Sequence, residues 1–298
     1  MNLKDVIAIA ETKGVAVGHF NFAESTVAEA AAEAAEELGV SVILGTSEKE
    51  REFLGEEFLR DLISGHRKTD FVSVSPKASI FGSSDVHAPI FFNADHTKSF
   101  EKVKEAVEIG YDSILFDGSE LPLEENIKRT REVVEYVKKT RPEVLVEGEI
   151  GYIGSGSKMR DEAPEGIELT KVEDAVRFVK ETDVDLLAPA VGNVHGIIKT
   201  GEPKLDIERI RAIKEAVKIP LVLHGASGNS DEDIKAAIKA GIIIIHINTE
   251  VRLAWQKALH DELHRQPGEI APYKIMEKAK EAAKEVIIKK LHLFNNLL

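Results

Sequence analysis

The feature of the sequence that most constrains the fold is a regular alternation of short apolar segments with amphipathic segments. Eight apolar segments begin near residues 15, 40, 89, 113, 144, 185, 220 and 242, and a helical pattern follows each of them. Strict alternation of this kind is typical of a parallel β-sheet. Eight such units within roughly 250 residues predict a closed (β/α)8 TIM barrel rather than an open sheet. We therefore expect residues 1–298 to form a single domain.

Three segments go beyond this repeat. Residues 65–87 are rich in Ser, Lys and Gly and lengthen the second unit, so we interpret them as an insertion or mobile loop. Residues 151–167 follow the fifth strand, and their Gly-rich, charged composition is typical of an active-site lid. Residues 271–293 have the pattern of an additional amphipathic helix at the C-terminus.

Composition excludes several kinds of site and partner. The chain has no Cys, which excludes disulfides and thiolate ligands, so any metal must take nitrogen and oxygen ligands. Its net charge of −13 argues against binding to nucleic acid, which needs a basic face. The N-terminus lacks a signal-peptide pattern, and no apolar run approaches the ~18 residues of a membrane span. We therefore expect a cytoplasmic protein without a membrane or nucleic-acid partner.

Histidines follow three of the predicted strands. Enzymes with this fold place their chemistry at the carboxyl ends of the strands. His96 follows the third strand, His195 the sixth and His224 the seventh. Three imidazoles around one barrel mouth can face a common point, and three His ligands with an open fourth position are typical of catalytic zinc. Asp95, beside His96, offers a carboxylate that can move a proton.

Other polar residues at strand ends complete the predicted site. Asp117 and Glu149 follow the fourth and fifth strands, where we expect them either to orient the metal ligands or to form an alternative metal position. A Gly-rich loop at 225–228 follows the seventh strand, and Asn248-Thr249 opens the helix after the eighth. Loops at these two places commonly bind phosphate through backbone N–H groups and a helix N-terminus. The predicted substrate therefore carries a phosphate and a metal-binding oxygen.

Five ordered motifs resemble those of the class II, zinc-dependent ketose-bisphosphate aldolases, the fructose-bisphosphate and tagatose-bisphosphate enzymes. They are Asn-Ala-Asp-His at 93–96, Phe-Asp-Gly-Ser at 116–119, Glu-Gly-Glu-Ile-Gly at 147–151, Ala-Val-Gly-Asn-Val-His-Gly at 190–196 and Leu-His-Gly-Ala-Ser-Gly at 223–228. The resemblance implies reversible aldol cleavage of a ketose 1,6-bisphosphate, with fructose 1,6-bisphosphate as the leading candidate, to dihydroxyacetone phosphate and glyceraldehyde 3-phosphate. It implies that His96, His195 and His224 hold Zn²⁺, which polarises the ketone. Asp95 would then exchange the proton of the C4 hydroxyl.

The resemblance also implies roles for other residues and partners. Asn21 and Ser47 match positions that line the family's substrate site, and Asp117 and Glu149 match an alternative metal position. The residues expected to bind the dihydroxyacetone phosphate end are Gly196, Gly225, Ser227, Asn248 and Thr249. His246 is counted with the substrate-binding residues, although the family's phosphate motif often begins with Asn at this point. A monovalent cation near the phosphate, Na⁺ or K⁺, and assembly as a homodimer or homotetramer are further family features.

The chain departs from the family in the loop after the fifth strand. The family usually has an acidic residue there that moves the second proton, but counting from Glu149 leads to Gly156 and Ser157. The acidic residues that could replace it are Asp161, Glu162 and Glu165.

Several functional alternatives stay open. They are a tagatose-bisphosphate or related ketose-phosphate aldolase, a metal-dependent sugar-phosphate epimerase or isomerase, and a phosphate-binding barrel without catalysis. A Schiff-base aldolase is disfavoured, because the sixth strand offers no Lys to form an imine.

Overall fold

Parallel strands close into a barrel in the computed structural model of the chain, which describes residues 1–68, 88–154, 156, 158–162, 167–199 and 204–297. The barrel strands are β1 (Val17–Asn21), β2 (Val42–Ser47), β3 (Ile90–Thr97), β4 (Ser113–Phe116), β5 (Leu145–Ile150), β7 (Leu186–Pro189), β9 (Leu221–Leu223) and β10 (Ile242–His246). β1 pairs in parallel with both β2 and β10, and this pairing closes the ring. The predicted TIM barrel is confirmed.

A second, two-stranded sheet joins two loops beyond the barrel. β6 (Met159–Arg160) pairs in parallel with β8 (Ile197–Ile198), so that Met159 lies opposite Ile197. The alternation of apolar and amphipathic segments did not predict this sheet, because strands of two residues carry no periodic signal. The pairing holds the loop after β5 against the loop after β7.

Helices follow the barrel strands, as predicted. The described helices are α1 (Leu3–Lys13), α2 (Ser25–Leu38), α3 (Glu48–Leu54), α4 (Glu56–Lys68), α5 (Phe100–Ile109), α6 (Leu123–Thr140), α7 (Val172–Thr182), α8 (Ile207–Val217), α9 (Asp231–Ala240), α10 (Thr249–Arg265) and α11 (Pro272–Asn295). The single helix predicted after β2 is two helices, because Gly55 interrupts it with a φ of 85°, a conformation that favours glycine. Within the described part of the chain, no helix combines the length and the apolar character that a membrane span requires.

The three additional segments have different outcomes. α11 confirms the predicted C-terminal helix, with ends shifted by one or two residues. The segment interpreted as an insertion begins inside α4, which continues to Lys68, and its residues 69–87 lie outside the described residues. Of the predicted lid, residues 155, 157 and 163–166 lie outside the described residues. The insertion, the lid and the single-domain organisation stay predictions.

The interior of the barrel is layered. Helix α1 packs its buried side chains, among them Val6, against an apolar layer that includes Val17, Phe91, Leu145 and Ile244. Side chains two residues apart on a strand point to the same face. The next inward position toward the carboxyl end is therefore polar on four strands, and these buried residues are His19, Asn93, Glu147 and His246. The chemistry of the site rests on this polar layer, and the apolar layer below it separates it from α1.

We predict that the long C-terminal helix contributes strongly to stability through Ile287. This side chain is fully buried in the core cluster between α11 and its neighbours. Ile287→Ala is expected to lower the free energy of unfolding by about 2–5 kcal/mol, because it removes buried methyl groups and leaves a cavity. Urea denaturation measures the change, and Phe53→Ala, at a position that is 78% exposed, is the matched control expected within about 0.5 kcal/mol of the parent. Equal effects of the two substitutions would contradict this account of α11.

Candidate metal centre

The structure brings the three predicted histidines to one point at the barrel mouth. A nitrogen of each of His96, His195 and His224 lies within 4.8 Å of a nitrogen of the other two. The ring centroid of His96 lies 5.0 Å from that of His195 and 5.1 Å from that of His224. His96 has a φ of 43°, in the left-handed region that residues other than glycine rarely adopt. Such strain concentrates at functional sites, where the surrounding structure maintains it.

Carboxylates fix which ring nitrogen of two histidines faces the common point. His96 Nδ1 lies 2.9 Å from Asp117 Oδ2 and 3.5 Å from Glu149 Oε2. His224 Nε2 lies 2.8 Å from Glu147 Oε1, while its Nδ1 has no hydrogen-bond partner among the described residues. A ring N–H that donates to a carboxylate leaves a lone pair on the other nitrogen, which is the arrangement of a metal-binding histidine. The side chains present therefore fit a divalent metal with three imidazole ligands.

The electrostatic field of the site favours positive charge. Burial opposes a charge on His96, but the charges and hydrogen bonds of Asp95, Asp117 and Glu149 outweigh it and raise the pKa of His96 to about 10. Burial also opposes charge on Asp95 and Asp117, yet the neighbouring imidazoles hold both carboxyl pKa values below their usual range. A metal cation at this point would supply the positive charge that His96 otherwise takes up as a proton.

A second set of ligands overlaps the first. Oxygen atoms of Asp117 and Glu149 lie with a nitrogen of His96 within 4.8 Å of one another, at the predicted alternative metal position. Burial and the charge of Asp117 raise the pKa of Glu149 to about 8, and its Oε2 has no hydrogen-bond partner in the described chain. Since Asp117 also orients His96, the structure is compatible with both predicted roles for these carboxylates, and both stay predictions.

Asp95 lies beside the metal position, and only one of its two carboxylate oxygens accepts a hydrogen bond from a described residue. Its Oδ2 accepts a hydrogen bond of 2.9 Å from Asn21 Nδ2. Its Oδ1 lies 3.9 Å from His96 Nε2 and 3.7 Å from His246 Nδ1, and no described residue hydrogen-bonds to it. The backbone N–H of Asn21 donates to Asn248 Oδ1 at 2.8 Å, so residues at the ends of β1 and β10 hold the carboxylate of β3 in position.

A cavity of about 450 Å³ opens above these residues. Its lining includes the predicted site residues Asn21, Ser47, Asp95, His96, His195 and Asn248. Four cationic side chains also line it, those of Lys49, Lys98, Lys158 and Arg252. Arg252 contacts Glu50, which also accepts a hydrogen bond of 3.0 Å from Asn21. The cavity is large enough for a small polar ligand that reaches from the metal position to these cations.

The predicted phosphate loop is linked to the C-terminal helix. Gly228 N–H donates to Glu250 Oε1 at 3.0 Å, and the buried Lys290 on α11 places its Nζ 2.9 Å from Glu250 Oε2. Gly225 has a φ of 57°, and a Cβ at this position would lie 2.5 Å from Val194 O. Gly225 therefore lets this loop approach the segment that carries His195 and Gly196. Ser227 and Thr249 are buried beside it at the start of α10.

Several residues of the site were not predicted from the sequence, or had no predicted role. His19 lies 3.5 Å from His246, ring centroid to centroid, and burial lowers the pKa of His19 to about 4. Glu147 orients His224. Both residues lie two positions before a predicted site residue on the same strand, so the period of two could have found them. Lys290 carried no signal, because it reaches the site from a distant helix.

His246 lies below the cavity, stacked between other rings, and is 3% exposed. Its predicted contact with substrate stays a prediction. The second proton carrier also stays open: Asp161 is exposed and pairs with Lys199 at 2.9 Å, Glu162 is exposed, and Ser157 and Glu165 lie outside the described residues.

Comparison with known proteins identifies relatives along nearly the whole chain. The family model described as "Fructose-bisphosphate aldolase class-II" matches residues 1–297. The fructose-bisphosphate aldolase of Staphylococcus aureus strain Mu50 is 34% identical over 294 residues, 99% of this chain and 96% of that protein. The 6-phospho-5-dehydro-2-deoxy-D-gluconate aldolase of Shouchella clausii is 35% identical over 289 residues, 97% of this chain and 92% of that protein.

A solved structure has the same architecture. The crystal structure of the YdjI aldolase from Escherichia coli K12 matches with a TM-score of 0.79 and 30% identity, and the match covers 98% of this chain and 96% of that chain. The similarity therefore extends over the barrel, its loops and the C-terminal helix together.

We predict that metal binding competes with a proton on His96. Because the pKa of His96 is raised to about 10, the metal-free protein carries that proton throughout the neutral range. The apparent association constant for a divalent metal is therefore expected to rise with pH between pH 7 and 9, because the proton on His96, and that on Glu149 with its pKa of about 8, bind less tightly as pH rises. Competition with a chromogenic chelator at several pH values measures this slope. An association constant that does not change with pH would contradict the assigned environment of His96.

Proposed function

The chain belongs to the class II fructose-bisphosphate aldolase family, and from this premise we propose that it is a zinc-dependent aldolase that cleaves a ketose 1,6-bisphosphate reversibly. Fructose 1,6-bisphosphate is the leading substrate, and its products would be dihydroxyacetone phosphate and glyceraldehyde 3-phosphate. The observation that carries the proposal is the convergence of His96, His195 and His224 beside Asp95. Zinc suits this site because the ligand set consists of three imidazole nitrogens and leaves one side open to a cavity.

The residues of the site divide the chemistry among them. Bound zinc would supply a Lewis acid that polarises the substrate carbonyl. Asp95 accepts the proton of the C4 hydroxyl, the C3–C4 bond breaks, and the electron pair of that bond moves toward C2. C3 then takes a proton from the second proton carrier, for which Asp161, Glu162 and Glu165 are the candidates. In the reverse direction Asp95 returns the proton to the new C4 oxygen. Asn21 keeps one oxygen of Asp95 occupied, so that the other, Oδ1, is the atom that takes the proton.

Two groups of residues would bind the ends of the substrate. The C1 phosphate would occupy the loop at 225–228 and the start of α10, with Na⁺ or K⁺ as a counter-ion. The residues that would bind it are Gly196, Gly225, Ser227, Asn248 and Thr249. The cations around the cavity, Lys49, Lys98, Lys158 and Arg252, would interact with a second phosphate at the other end. A bisphosphate of net negative charge can therefore bind to this chain despite its charge of −13.

One relative supports a second candidate substrate. A protein named 6-phospho-5-dehydro-2-deoxy-D-gluconate aldolase is 35% identical to this chain, about as similar as the fructose-bisphosphate aldolases. A related phosphorylated substrate is therefore the alternative within the same reaction class. Tagatose 1,6-bisphosphate, which differs from fructose 1,6-bisphosphate only in the stereochemistry at C4, is a further alternative substrate.

We also propose a cytoplasmic, homo-oligomeric enzyme. Phosphorylated sugars are cytoplasmic metabolites, which supports that location. Ile270, just before α11, and Tyr273, in the first turn of α11, are 87% and 76% exposed, and large exposed apolar side chains are common at subunit contacts. Sedimentation equilibrium tests the proposed homo-oligomer, and a monomer at micromolar concentration would argue against it.

A cleavage assay tests the proposed function. Metal-depleted and zinc-restored protein are each assayed with fructose 1,6-bisphosphate, tagatose 1,6-bisphosphate and 6-phospho-5-dehydro-2-deoxy-D-gluconate, and the carbon number of the products is determined. We expect cleavage that depends on added zinc and is fastest with fructose 1,6-bisphosphate. Full activity after exhaustive metal removal would exclude the zinc mechanism, and products that keep the carbon number of the substrate would indicate an epimerase or isomerase instead.

We predict that Asp95→Asn lowers kcat by about 10²–10⁴-fold while bound zinc remains near one per chain. The reason is that Asp95 moves a proton and is not among the three histidine ligands. Steady-state kinetics and metal analysis of the same sample measure the two effects. Asp61→Asn, on the exposed side of α4, is the control expected to keep the parent's activity. Loss of zinc together with activity in Asp95→Asn would show that Asp95 is a ligand instead.

A further inference from the structure

Three imidazole rings form a continuous stack that begins at a proposed metal ligand. The ring of His246 lies against that of His224, with centroids 3.9 Å apart and planes inclined by 30°. On its other face His246 stacks on His19, with centroids 3.5 Å apart and planes inclined by only 4°. His19, His224 and His246 are 1%, 1% and 3% exposed, so the stack is buried. His19 has no role in the proposed reaction.

The strand register and one glycine make the stack possible. β1 and β10 pair in parallel with His19 directly opposite His246. Paired residues on neighbouring parallel strands point to the same face at about 4.8 Å, which is close enough for two flat rings to stack. Gly45 on β2 leaves room for the outer ring, since a Cβ there would lie 2.2 Å from His19 Cε1. The contact is therefore built into the barrel at three adjacent strands.

The stacked geometry argues against a second metal at this pair. Nitrogen atoms of His19 and His246 and an oxygen of Asp95 do lie within 4.8 Å of one another. A metal bound to both rings would have to lie between planes whose centroids are 3.5 Å apart, roughly 1.7 Å out of each plane. The nitrogen lone pair lies in the ring plane, and the metal–nitrogen distance is only about 2.0–2.1 Å. Two parallel rings cannot meet both conditions. The ring faces of His19 and His246, rather than their nitrogens, are therefore the groups through which this pair can act.

The face contact completes the positioning of His224. The hydrogen bond from His224 Nε2 to Glu147 fixes one edge of the ring at 2.8 Å. With the Cβ attachment, this leaves the ring free to swing about the line that joins the two points. A flat ring packed against its face removes that swing and so fixes the direction of Nδ1, the nitrogen that faces His96 and His195.

We propose that His246, braced by His19, is a positioning residue that orients the metal ligand His224 by stacking against its ring. The proposal rests on the metal centre of the proposed function, and it concerns metal affinity, whatever the sugar substrate. In this proposal the ring face of His246 orients His224, and the ring nitrogens of His246 are not needed for metal binding.

Two substitutions of His246 separate face from nitrogen. His246→Phe keeps a flat ring between His19 and His224 and removes the nitrogens, whereas His246→Asn keeps a polar side chain and removes the ring. Zinc dissociation constants by chelator competition, without substrate, are expected to rise about 10–100-fold for His246→Asn. They are expected to stay within about threefold of the parent for His246→Phe. The visible spectrum of the cobalt-substituted protein should change with His246→Asn only.

Further variants keep the test decisive. His19→Ala removes only the brace and is expected to weaken zinc binding about three- to tenfold, so it replaces His246→Asn if that variant fails to fold. His260→Asn is the matched control, because His260 belongs to an exposed pair on α10 with ring centroids 4.2 Å apart, and its zinc affinity should equal that of the parent.

Three results would overturn the proposal. One is parent-like zinc affinity in both His246→Asn and His19→Ala, and another is equal loss in His246→Phe and His246→Asn. The third is a parent that binds neither zinc nor cobalt, which would overturn the metal centre of the proposed function as well. The first two results leave that metal centre intact, so the two failures are distinguishable.

Discussion

The structure depends on the burial of four carboxylates at one end of the barrel. Asp95, Glu147 and Glu149 are at most 3% exposed, and the side chain of Asp117 is 7% exposed. Removing a carboxylate ion from water costs several kcal/mol unless positive charge or hydrogen bonds compensate. For Glu149 the compensation is incomplete, since burial raises its pKa to about 8. The compensation here comes from the imidazoles of His96 and His224, and it is reflected in the raised pKa of both rings. A cation is the partner that this arrangement favours most.

The fold followed from the sequence because its signal is repeated. Each strand contains a short apolar run, each helix has one apolar stripe, and eight repetitions leave few other architectures. The strand-end residues His96, His195 and His224 could be found for the same reason, since the repeat fixes where each strand ends. The two-residue strands β6 and β8 lack such a signal. The residues from 69 to 87, with no periodic pattern, gave nothing to predict beyond their composition.

Residues that only orient other site residues were harder to predict than residues that would contact the metal or the substrate themselves. Glu147 and His19 belong to the polar layer one step below the strand ends, and their roles depend on pairing between strands that sequence alone does not specify. Lys290 is an extreme case, because it is one of many lysines on α11 and is distinguished only by its burial against Glu250. Through that contact the additional helix supports the loop at 225–228. The helix therefore contributes to the site as well as to the core.

The ring stack links barrel closure to the metal position. β1 and β10 are the first and last strands of the barrel, and their pairing is the step that closes it. His19 and His246 meet across this seam, and His246 passes the contact to His224 on β9. A ligand that binds only the closed barrel stabilises closure by its binding free energy. If His224 needs the ring stack to face the metal, then metal binding favours the pairing of β1 with β10. Disruption of that pairing in turn lowers the affinity for the metal. The buried polar layer stabilises the fold less than an apolar layer would. In exchange, it couples the pairing of the first and last barrel strands to the metal site.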